Sequence, residues 1–298
     1  MCCIAVVVVA LVVGFAVVVS TSGDGAQNGA APSTATPSAT ATSGAHSPAP
    51  RTAEPRPSEL TASPTPTPAY GNYAALGDSY AAGMGSGDET GSCRRSPHAY
   101  PHVLDANPAI LLRRDVACSG ATTADVQRFQ LSALNAKTDL VTLTVGGNDL
   151  NVAGLSEACA HGVNDTCQTK FRKSLTLLNV LPDRLAATYR AVARAAPHAR
   201  IIVTGYPLMF KMPATDSPEF ATIAVANAAT ASLDQVIKNS VKKKRADGTN
   251  IHYVAVDFAG YEIGDQTSWI NATGKDAFHP TAAGSTAIAK AITAALKK

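Results

Sequence analysis

The side chains best suited to covalent chemistry in this chain are a serine, a histidine and an aspartate. Ser79 lies within the segment Gly77–Tyr80, and His279 lies near the C-terminus, three residues after Asp276. A serine hydroxyl is a weak nucleophile that needs a base in hydrogen-bond contact, and an imidazole acts as that base when a carboxylate fixes its tautomer. The three residues therefore predict a triad for acyl transfer, in which Ser79 attacks, His279 accepts the proton and Asp276 orients the ring.

Acyl transfer also requires hydrogen-bond donors for the negative charge that develops on the carbonyl oxygen. Three candidate donors are the backbone N–H groups of Ser79 and Gly120 and the side-chain amide of Asn148. Gly120 lies in the segment Cys118–Thr122, and Asn148 lies in the segment Gly146–Asp149. Because the loss of one such donor costs about 3–4 kcal/mol of transition-state stabilisation, this predicted oxyanion hole matters as much as the triad.

The candidate segments follow short apolar runs that alternate with longer amphipathic stretches. The runs rich in Val, Ile or Leu predict strands at Tyr73–Leu76, Leu111–Ala117, Leu140–Val145, Arg200–Thr204 and His252–Val256. The amphipathic stretches predict helices at Ala99–Asn107, Thr123–Leu134, Lys170–Ala196, Glu219–Lys244 and Thr281–Leu296. This alternation indicates an α/β fold with a mainly parallel sheet covered on both faces. Ligands of such sheets bind beyond the carboxyl ends of the strands, where the candidate segments lie.

The longest predicted helix shows the clearest amphipathic pattern. Its apolar residues recur at a spacing of three or four, at Phe171, Leu175, Leu178, Leu181 and Leu185. That spacing is typical of one face of a helix.

Each candidate segment also has a purely structural interpretation. Asp78 can cap a helix that starts after it, and Gly146–Asp149 can be an ordinary loop. His279 and the proline after it can begin a helix, because proline is favoured at the first helical position. Taken singly, these interpretations are the commoner ones. Four such segments in order near predicted strand or helix ends favour the chemical interpretation.

Four cysteines follow the predicted N-terminal region: Cys93, Cys118, Cys159 and Cys167. None has the Cys-x-x-Cys spacing that is typical of zinc ribbons and thioredoxin-like sites. Four cysteines permit three connectivities, of which the sequence-local one pairs Cys93 with Cys118 and Cys159 with Cys167. Four buried thiols are the alternative, and that alternative is favoured only in a cytosolic domain.

The four candidate segments resemble the sequence blocks of the SGNH (GDSL-type) hydrolases. Gly77–Tyr80, Gly120, Gly147–Asp149 and Asp276 with His279 match these blocks in order, with a tyrosine where many members have leucine. The resemblance extends over nearly all of the chain after residue 70. It implies a three-layer α/β/α, flavodoxin-like fold with a serine nucleophile, a histidine base and oxyanion donors at Gly120 and the asparagine of the third block.

The segments Gly77–Gly83 and Cys118–Thr123 are similar to the secreted actinobacterial esterase/lipase branch of that family. In this branch the first two disulfides have spacings similar to the sequence-local pairing. A third disulfide, often present there, is absent here, which implies a looser loop at Pro207–Pro218. In some members a backbone carbonyl replaces the acid of the triad, so the resemblance leaves the role of Asp276 open.

The N-terminal region differs in composition from the rest of the chain. Ile4–Val19 is an apolar run whose length falls between a signal-peptide core and a membrane span, so residues 1–20 are interpreted as a signal peptide or membrane anchor. Residues 21–70 are rich in Ala, Pro, Ser and Thr and are predicted to be a disordered stalk. A hydrolase domain is predicted over 71–298. We therefore expect a protein that is secreted or attached to the cell envelope.

Two other catalytic signatures are not formed. The Gly-x-Ser-x-Gly elbow of the α/β-hydrolases fails at Ser79, because the fifth position is Ala81. His98 and His102 are four residues apart, but Pro101 lies between them and no His-Glu-x-x-His motif is present.

Metal and nucleic-acid sites are weakly supported as well. Cys159, His161 and Cys167 can in principle bind a metal, and a local disulfide is the favoured interpretation. The basic run Lys242–Arg245 ends a predicted helix, where cations suit the helix dipole. The net charge of the chain is only +3, which does not favour a nucleic-acid partner. We expect no metal, no organic cofactor and no nucleic-acid ligand.

The leading hypothesis is an exported serine ester hydrolase, an esterase or lipase, that cleaves lipid or other acyl esters through an acyl-enzyme on Ser79. A carbohydrate O-deacetylase is the second hypothesis and uses the same residues. The single tryptophan, Trp269, offers little surface for stacking sugars, which favours the first. An inactive surface-binding module is the third, and the complete catalytic set argues against it. Envelope contact through the N-terminal segment is expected, with a monomer as the default.

Overall fold

The computed structural model describes residues 68–152, 154, 158 and 164–297. The predicted N-terminal segment (1–20) and almost all of the predicted stalk (21–70) lie outside the described residues, as do Cys159 and His161. The side chain of Cys167 is not described either, so the pairing of Cys159 with Cys167 stays a prediction. Within the described ranges, no helix combines the length and the apolar character that crossing a membrane requires.

Within the described residues, five parallel strands form the centre of the domain. They are β1 (Tyr70–Gly77), β2 (Ile110–Asp115), β3 (Leu140–Thr144), β4 (Arg200–Thr204) and β5 (Ile251–Val254). Their order across the sheet is β2-β1-β3-β4-β5, and all neighbouring strands run parallel. The α/β class and the predicted strands are confirmed. All five residues of β3 are buried, as is typical of a sheet covered on both faces.

Helices cover this sheet on two sides. They are α1 (Ser79–Ala82), α2 (Tyr100–Asp105), α3 (Thr123–Asp125), α4 (Asp165–Ala195), α5 (Phe220–Ala246) and α6 (Ala282–Leu296). The chain crosses from β1 to β2 in one direction and from β2 to β3, β4 and β5 in the other. Right-handed crossovers therefore place α2 on one face and α4 and α5 on the opposite face. In agreement, α4 packs on α5 and α6 packs on α2. The expected three-layer arrangement is confirmed.

The stretch predicted as one helix, Thr123–Leu134, is divided into three parts. After α3 the chain forms a π-helical turn at Val126–Gln130 and a 3₁₀ turn at Leu131–Ala133. The buried side chain of Gln130 accepts a hydrogen bond from the N–H of Gly77 at 2.8 Å and donates one to its carbonyl oxygen at 2.9 Å. The π-helical turn is thus bonded to the end of β1, and turns of this kind are often found beside functional sites.

The central position of β1 determines where the candidate segments meet. β1 lies between β2 and β3, and its last residue, Gly77, is opposite Thr144 at the end of β3. The chain changes its direction across the sheet at this point, which is the usual ligand site of open α/β sheets. The loops that carry Ser79, Gly120 and Asn148 all start from this edge.

The apolar face predicted for the longest helix is buried only along part of α4. Leu181 and Leu185 are fully buried, whereas 43% of Leu175 is exposed. The N-terminal half of α4 lies beside the turn that follows β3, where the hydroxyl of Ser174 donates to the carbonyl of Leu150 at 2.8 Å. The apolar face of α4 is therefore buried at Leu181 and Leu185 and exposed at Leu175.

Replacement of two leucines of α4 by alanine tests this difference. We expect Leu185→Ala to lower the free energy of unfolding by about 2–5 kcal/mol, because it leaves a cavity in the core. The matched change Leu175→Ala should cost less than about 1 kcal/mol, since Leu175 is 43% exposed and its replacement leaves no enclosed cavity. Urea unfolding of both variants measures the effect. Equal losses in the two variants would contradict the burial described here.

Candidate active site

Ser79 lies at the sharp turn between β1 and α1. Gly77 ends β1 with a φ of 133°, and a Cβ at this position would lie 2.3 Å from the carbonyl oxygen of Thr144, so only glycine fits. Asp78 caps α1, because its carboxylate accepts a hydrogen bond from the N–H of Tyr80 at 3.0 Å. The turn thus presents Ser79 as the first residue of a short helix at the carboxyl edge of the sheet.

His279 reaches this serine from the other end of the domain. Its Nε2 lies 2.8 Å from Oγ of Ser79, although the two residues are 200 positions apart in the sequence. Its Nδ1 lies 3.0 Å from the carbonyl oxygen of Ala277. A carbonyl oxygen can only accept a hydrogen bond, so Nδ1 carries the proton and Nε2 is the acceptor for the serine hydroxyl. This is the tautomer that a general base needs.

Asp276 does not make the predicted hydrogen bond to the imidazole. Its carboxylate accepts a hydrogen bond from the guanidinium of Arg94, which also contacts Glu89 at 3.3 Å. Among the described residues, the acceptor for Nδ1 of His279 is the carbonyl of Ala277 and not Asp276. The predicted geometry is corrected accordingly: a neutral backbone oxygen holds the ring, and the nearby carboxylate forms an ion pair.

The backbone at Phe278 accompanies the use of the Ala277 carbonyl, in place of the Asp276 carboxylate, as the acceptor for Nδ1 of His279. Its φ of 66° lies in the left-handed region, so the chain turns back between Ala277 and His279. A non-glycine residue in such a conformation costs on the order of 1–3 kcal/mol and persists where surrounding contacts enforce it. Two such contacts are present. The N–H of Phe278 donates to the carbonyl of Asn271 at 2.7 Å, and the hydroxyl of Tyr80 donates to the carbonyl of Phe278 at 2.7 Å.

Tyr80 is a site residue whose role sequence reasoning missed. Its ring lies beside that of His279, with 5.6 Å between the ring centroids, and its hydroxyl holds the backbone next to the histidine. The signal in the sequence was the tyrosine immediately after the nucleophile, at a position where leucine is common. A leucine has no hydroxyl, so a hydrogen-bonding role could have been suspected there.

The three predicted oxyanion donors lie on the turns that follow β1, β2 and β3. Gly120 has a φ of 83°, and a Cβ there would meet no atom within 4 Å, so the backbone conformation is what favours glycine. Within the described part of the chain, no acceptor is bonded to the N–H of Ser79 or of Gly120. One N–H of the Asn148 side chain donates to the carbonyl of Ala121 at 3.1 Å, which orients the amide.

Asp149 ties two of these turns together. Its buried carboxylate accepts hydrogen bonds from the N–H and the hydroxyl of Thr123, at 2.9 and 2.6 Å, and lies 3.4 Å from the guanidinium of Arg184. Hydrogen bonds to an ionised acceptor are stronger than neutral ones. The turn that carries Asn148 is therefore held against the segment that follows Gly120. Sequence reasoning included Asp149 in its motif but gave it no role.

The predicted disulfide between Cys93 and Cys118 is confirmed. Their Cα atoms lie 4.3 Å apart, and the bond closes a loop with a sequence separation of 25 residues. The N–H of Ser119 also donates to the carbonyl of Cys93 at 3.0 Å. Because Ser119 precedes Gly120, the bond holds the segment that carries this predicted oxyanion donor.

The electrostatic environment favours a neutral imidazole. Burial lowers the pKa of His279 below its ordinary value, and the positive charge of Arg94 acts in the same direction. The hydrogen bond that Nδ1 donates to the carbonyl of Ala277 and the charge of Asp276 oppose this change without reversing it. At neutral pH the ring is therefore uncharged and free to accept a proton on Nε2.

The histidines considered as metal ligands each contact a different carboxylate. His98 contacts Asp88 at 3.0 Å, whereas His102 contacts Asp115 at 3.1 Å. Across the residues that the structure describes, no three His, Cys, Asp or Glu side chains are grouped so that they could hold a metal ion.

Comparison with known proteins places this geometry in a family. A family model described as the GDSL-like Lipase/Acylhydrolase family matches residues 75–287, a range that includes all four candidate segments. The chain belongs to this family. Its curated relatives include a lipase from Streptomyces rimosus, which is 34% identical over 222 residues that make up 72% of this chain and 82% of the relative.

Two solved structures of enzymes from Streptomyces are similar to this chain. A phospholipase A1 from Streptomyces albidoflavus NA297 matches with 34% identity and a TM-score of 0.66, over 76% of this chain and 99% of that one. An extracellular lipase from Streptomyces rimosus matches with 33% identity and a TM-score of 0.65 over the same shares. The family resemblance is confirmed, and the chain is a carboxylic ester hydrolase.

The pKa of His279 leads to a prediction for the pH profile. Activity requires the neutral ring, so kcat/KM should rise with pH and level off with an inflection below pH 6.5, the ordinary pKa of histidine. An ester without ionisable groups, assayed from pH 4.5 to 8.5, measures the inflection. Circular dichroism over the same range serves as the control for folding. An inflection clearly above 6.5 would contradict the effect of burial.

The position of Asp276 leads to a second prediction. We expect Asp276→Asn to lower kcat by less than about tenfold, because the Ala277 carbonyl still holds Nδ1 of His279 and the amide oxygen still accepts from Arg94. Loss of a true triad acid can cost about 10⁴ in kcat. Steady-state kinetics with a chromogenic ester separates the two cases, with His279→Ala as the inactive reference. A loss of more than a hundredfold in folded Asp276→Asn would restore the triad as first predicted.

Proposed function

We propose that this enzyme hydrolyses acyl esters of lipids by way of an acyl-enzyme on Ser79. The observation that carries the proposal is the 2.8 Å contact between Oγ of Ser79 and Nε2 of His279, with Nδ1 held by the carbonyl of Ala277. A nucleophile in contact with a base whose tautomer is fixed by a third group is the arrangement that covalent acyl transfer needs.

In the first half of the reaction, Oγ of Ser79 attacks the ester carbonyl and its proton moves to Nε2 of His279. The carbonyl oxygen becomes negative and is bound by the N–H groups of Ser79 and Gly120 and by the amide of Asn148. The tetrahedral intermediate then collapses, and His279 donates the proton to the departing alcohol. In the second half, water attacks the acyl carbon and loses its proton to His279. The second intermediate then collapses, the bond from the acyl carbon to Oγ breaks, His279 returns the proton to Oγ, and the fatty acid is released.

The charge that forms on His279 during attack is stabilised mainly by a dipole. The Ala277 carbonyl accepts a hydrogen bond from Nδ1, and this bond strengthens when the ring becomes an imidazolium. The charge of Asp276 is already paired with Arg94, so it contributes less than a carboxylate in direct contact. We therefore assign Ser79 and His279 as the catalytic side chains, with the backbone of Ala277 in the position of the acid.

An apolar surface beside the site supports lipid esters as substrates. Phe278, the neighbour of His279, contacts the ring of Phe210 edge to face, with 5.9 Å between centroids. Leu208 and Met212, on the same loop as Phe210, are each 43% exposed. Apolar side chains of this kind favour contact with an acyl chain. The names of two relatives, a phospholipase A1 and a lipase, agree with this class of substrate.

A carbohydrate O-deacetylase is less well supported. Trp269, the single tryptophan of the chain, stacks face to face on Tyr261 with 3.7 Å between ring centroids, and Phe258 packs edge-on against it. Its indole is thus engaged by other side chains, which leaves less of it for stacking against a sugar ring.

We also propose that the enzyme acts outside the cytoplasm. The disulfide between Cys93 and Cys118 favours an oxidising compartment. The apolar run within residues 1–20 supports export, and one similar structure is described as an extracellular lipase. In this proposal, residues 1–20 direct export or anchor the chain, residues 21–70 act as a spacer, and residues 71–298 form the hydrolase domain. Contact with the envelope occurs through the N-terminal segment.

Replacement of the nucleophile tests the proposed mechanism. We expect Ser79→Ala to lower kcat for ester hydrolysis by at least about 10³, with residual activity from the oxyanion hole and binding alone. The variant should also fail to react with a p-nitrophenyl alkylphosphonate, which phosphonylates Oγ of Ser79 in the wild type with loss of p-nitrophenolate, a mass increase that mass spectrometry detects. The matched control Ser132→Ala removes an exposed hydroxyl and should keep full activity. Near-normal turnover in Ser79→Ala would refute the acyl-enzyme.

The substrate class is tested in the same assay with a series of p-nitrophenyl esters and with phosphatidylcholine. A lipid esterase cleaves medium or long acyl chains and releases fatty acid from the phospholipid. A deacetylase cleaves the acetyl ester alone, and that result would replace the proposed substrate class while leaving Ser79 as the nucleophile.

A further inference from the structure

Tyr206 lies outside the four sequence segments, yet its hydroxyl contacts two of them. The residue follows β4 and its side chain is buried. Its hydroxyl donates a hydrogen bond to the carboxylate of Asp78 and accepts one from the N–H of Gly147 at 3.1 Å. Asp78 immediately precedes Ser79, and Gly147 immediately precedes Asn148. One phenol oxygen therefore bridges the two turns that carry two of the three proposed oxyanion donors.

We propose that Tyr206 is a positioning residue that fixes the spacing of the oxyanion hole. By holding Asp78 and Gly147 on one oxygen atom, it determines how the N–H of Ser79 and the amide of Asn148 are placed relative to each other. This inference rests on the proposed acyl transfer at Ser79 and extends it to a residue on a fourth strand end.

The residue that carries the bridging hydroxyl is itself held at its backbone and along its ring. The backbone N–H of Tyr206 donates to the carboxylate of Asp234 at 2.8 Å, and the hydroxyl of Tyr253 donates to the same carboxylate at 3.1 Å. The ring packs edge to face on Tyr80, with 5.0 Å between centroids. Anchored at its backbone and along its ring, Tyr206 has little freedom to follow a movement of the two turns.

Gly147 packs tightly against the phenol of Tyr206. A Cβ on Gly147 would lie 3.3 Å from Cζ and from the hydroxyl oxygen of Tyr206. This distance is shorter than nine in ten of the contacts that real Cβ atoms make. The turn before Asn148 therefore rests directly on the phenol. The position of this turn therefore depends on the position of the Tyr206 ring.

A hydroxyl suits this position because it donates and accepts at the same time. Asp78 offers an acceptor and is buried, and Gly147 offers a donor and is partly buried, so an unpaired group on either would be unfavourable. Burial raises the pKa of Asp78 to about 7, while the hydrogen bond from Tyr206 acts in the opposite direction. Phenylalanine would fill the same volume but would leave both groups without this partner.

The test compares Tyr206→Phe with the matched control Tyr253→Phe. Each variant loses one tyrosine hydroxyl that donates to a carboxylate, Asp78 for Tyr206 and Asp234 for Tyr253, and only Tyr206→Phe also loses the contact to Gly147. Transition-state stabilisation by one oxyanion donor is worth about 10²–10³ in kcat. For a misplaced donor pair we expect Tyr206→Phe to lower kcat by roughly 10- to 100-fold with KM within about twofold of wild type. Tyr253→Phe should keep kcat, because the N–H of Tyr206 still donates to the other oxygen of Asp234.

A second readout separates positioning from a general loss of stability. An alkyl trifluoromethyl ketone forms a tetrahedral adduct with the serine, and its oxygen occupies the oxyanion hole. Its inhibition constant should rise in Tyr206→Phe by about the same factor as kcat/KM falls. A purely structural role would lower the melting temperature of both variants and leave this constant unchanged. Wild-type kcat in folded Tyr206→Phe, or equal losses of kcat in both variants, would overturn the proposal.

If Tyr206→Phe does not fold, Asp78→Asn provides the alternative test. Asparagine caps helices as well as aspartate does, so α1 should be retained while the acceptor for Tyr206 is altered. The same fall in kcat at unchanged KM is expected, and wild-type kcat would overturn the proposal. Ester hydrolysis by Ser79→Ala is measured in parallel. Full activity there would refute acyl transfer at Ser79 itself, a result distinct from failure of the Tyr206 inference.

Discussion

The imidazole of His279 must keep Nε2 unprotonated while it contacts Ser79, and this requires a fixed acceptor on its other nitrogen. The carbonyl of Ala277 is that acceptor, because the backbone of Phe278 adopts a left-handed conformation. A strained residue relaxes unless its neighbours prevent it. The geometry of the site therefore depends on the hydroxyl of Tyr80, which holds the Phe278 carbonyl, together with the backbone contact to Asn271.

The use of a backbone acceptor leaves the carboxylate of Asp276 available for a different interaction. It pairs with Arg94, the residue that follows Cys93, and Cys93 is bonded to Cys118 on the loop that carries Gly120. The turn before the histidine and the loop of one proposed oxyanion donor are thus linked through one ion pair and one covalent bond. Because Asp276 is paired with a cation, its negative charge stabilises the developing imidazolium less than the charge of a free carboxylate would.

Buried polar side chains connect the strand ends at the switch point of the sheet. Asp149 bridges the turns after β2 and β3, and Tyr206 bridges the turns after β1 and β3 from its place after β4. Such groups are unfavourable in an interior unless each is hydrogen-bonded, and here the contacts that satisfy them also order the loops. Donors that are held in place before the substrate arrives need no reorganisation when negative charge develops, which is the physical basis of oxyanion stabilisation.

The sequence by itself determined the α/β class, the strands and the candidate residues Ser79, Asn148 and His279, because apolar runs and short motifs at their ends are local signals. It also determined the sequence-local pairing of Cys93 with Cys118. The tertiary structure alone decided that a carbonyl rather than Asp276 holds the imidazole, and that Leu175 is exposed. Only the tertiary structure showed that Tyr80, after β1, and Tyr206, after β4, contact the segments of the site. These outcomes depend on one backbone torsion and on hydrogen bonds between residues far apart in the chain, and neither leaves a periodic or local pattern in the sequence.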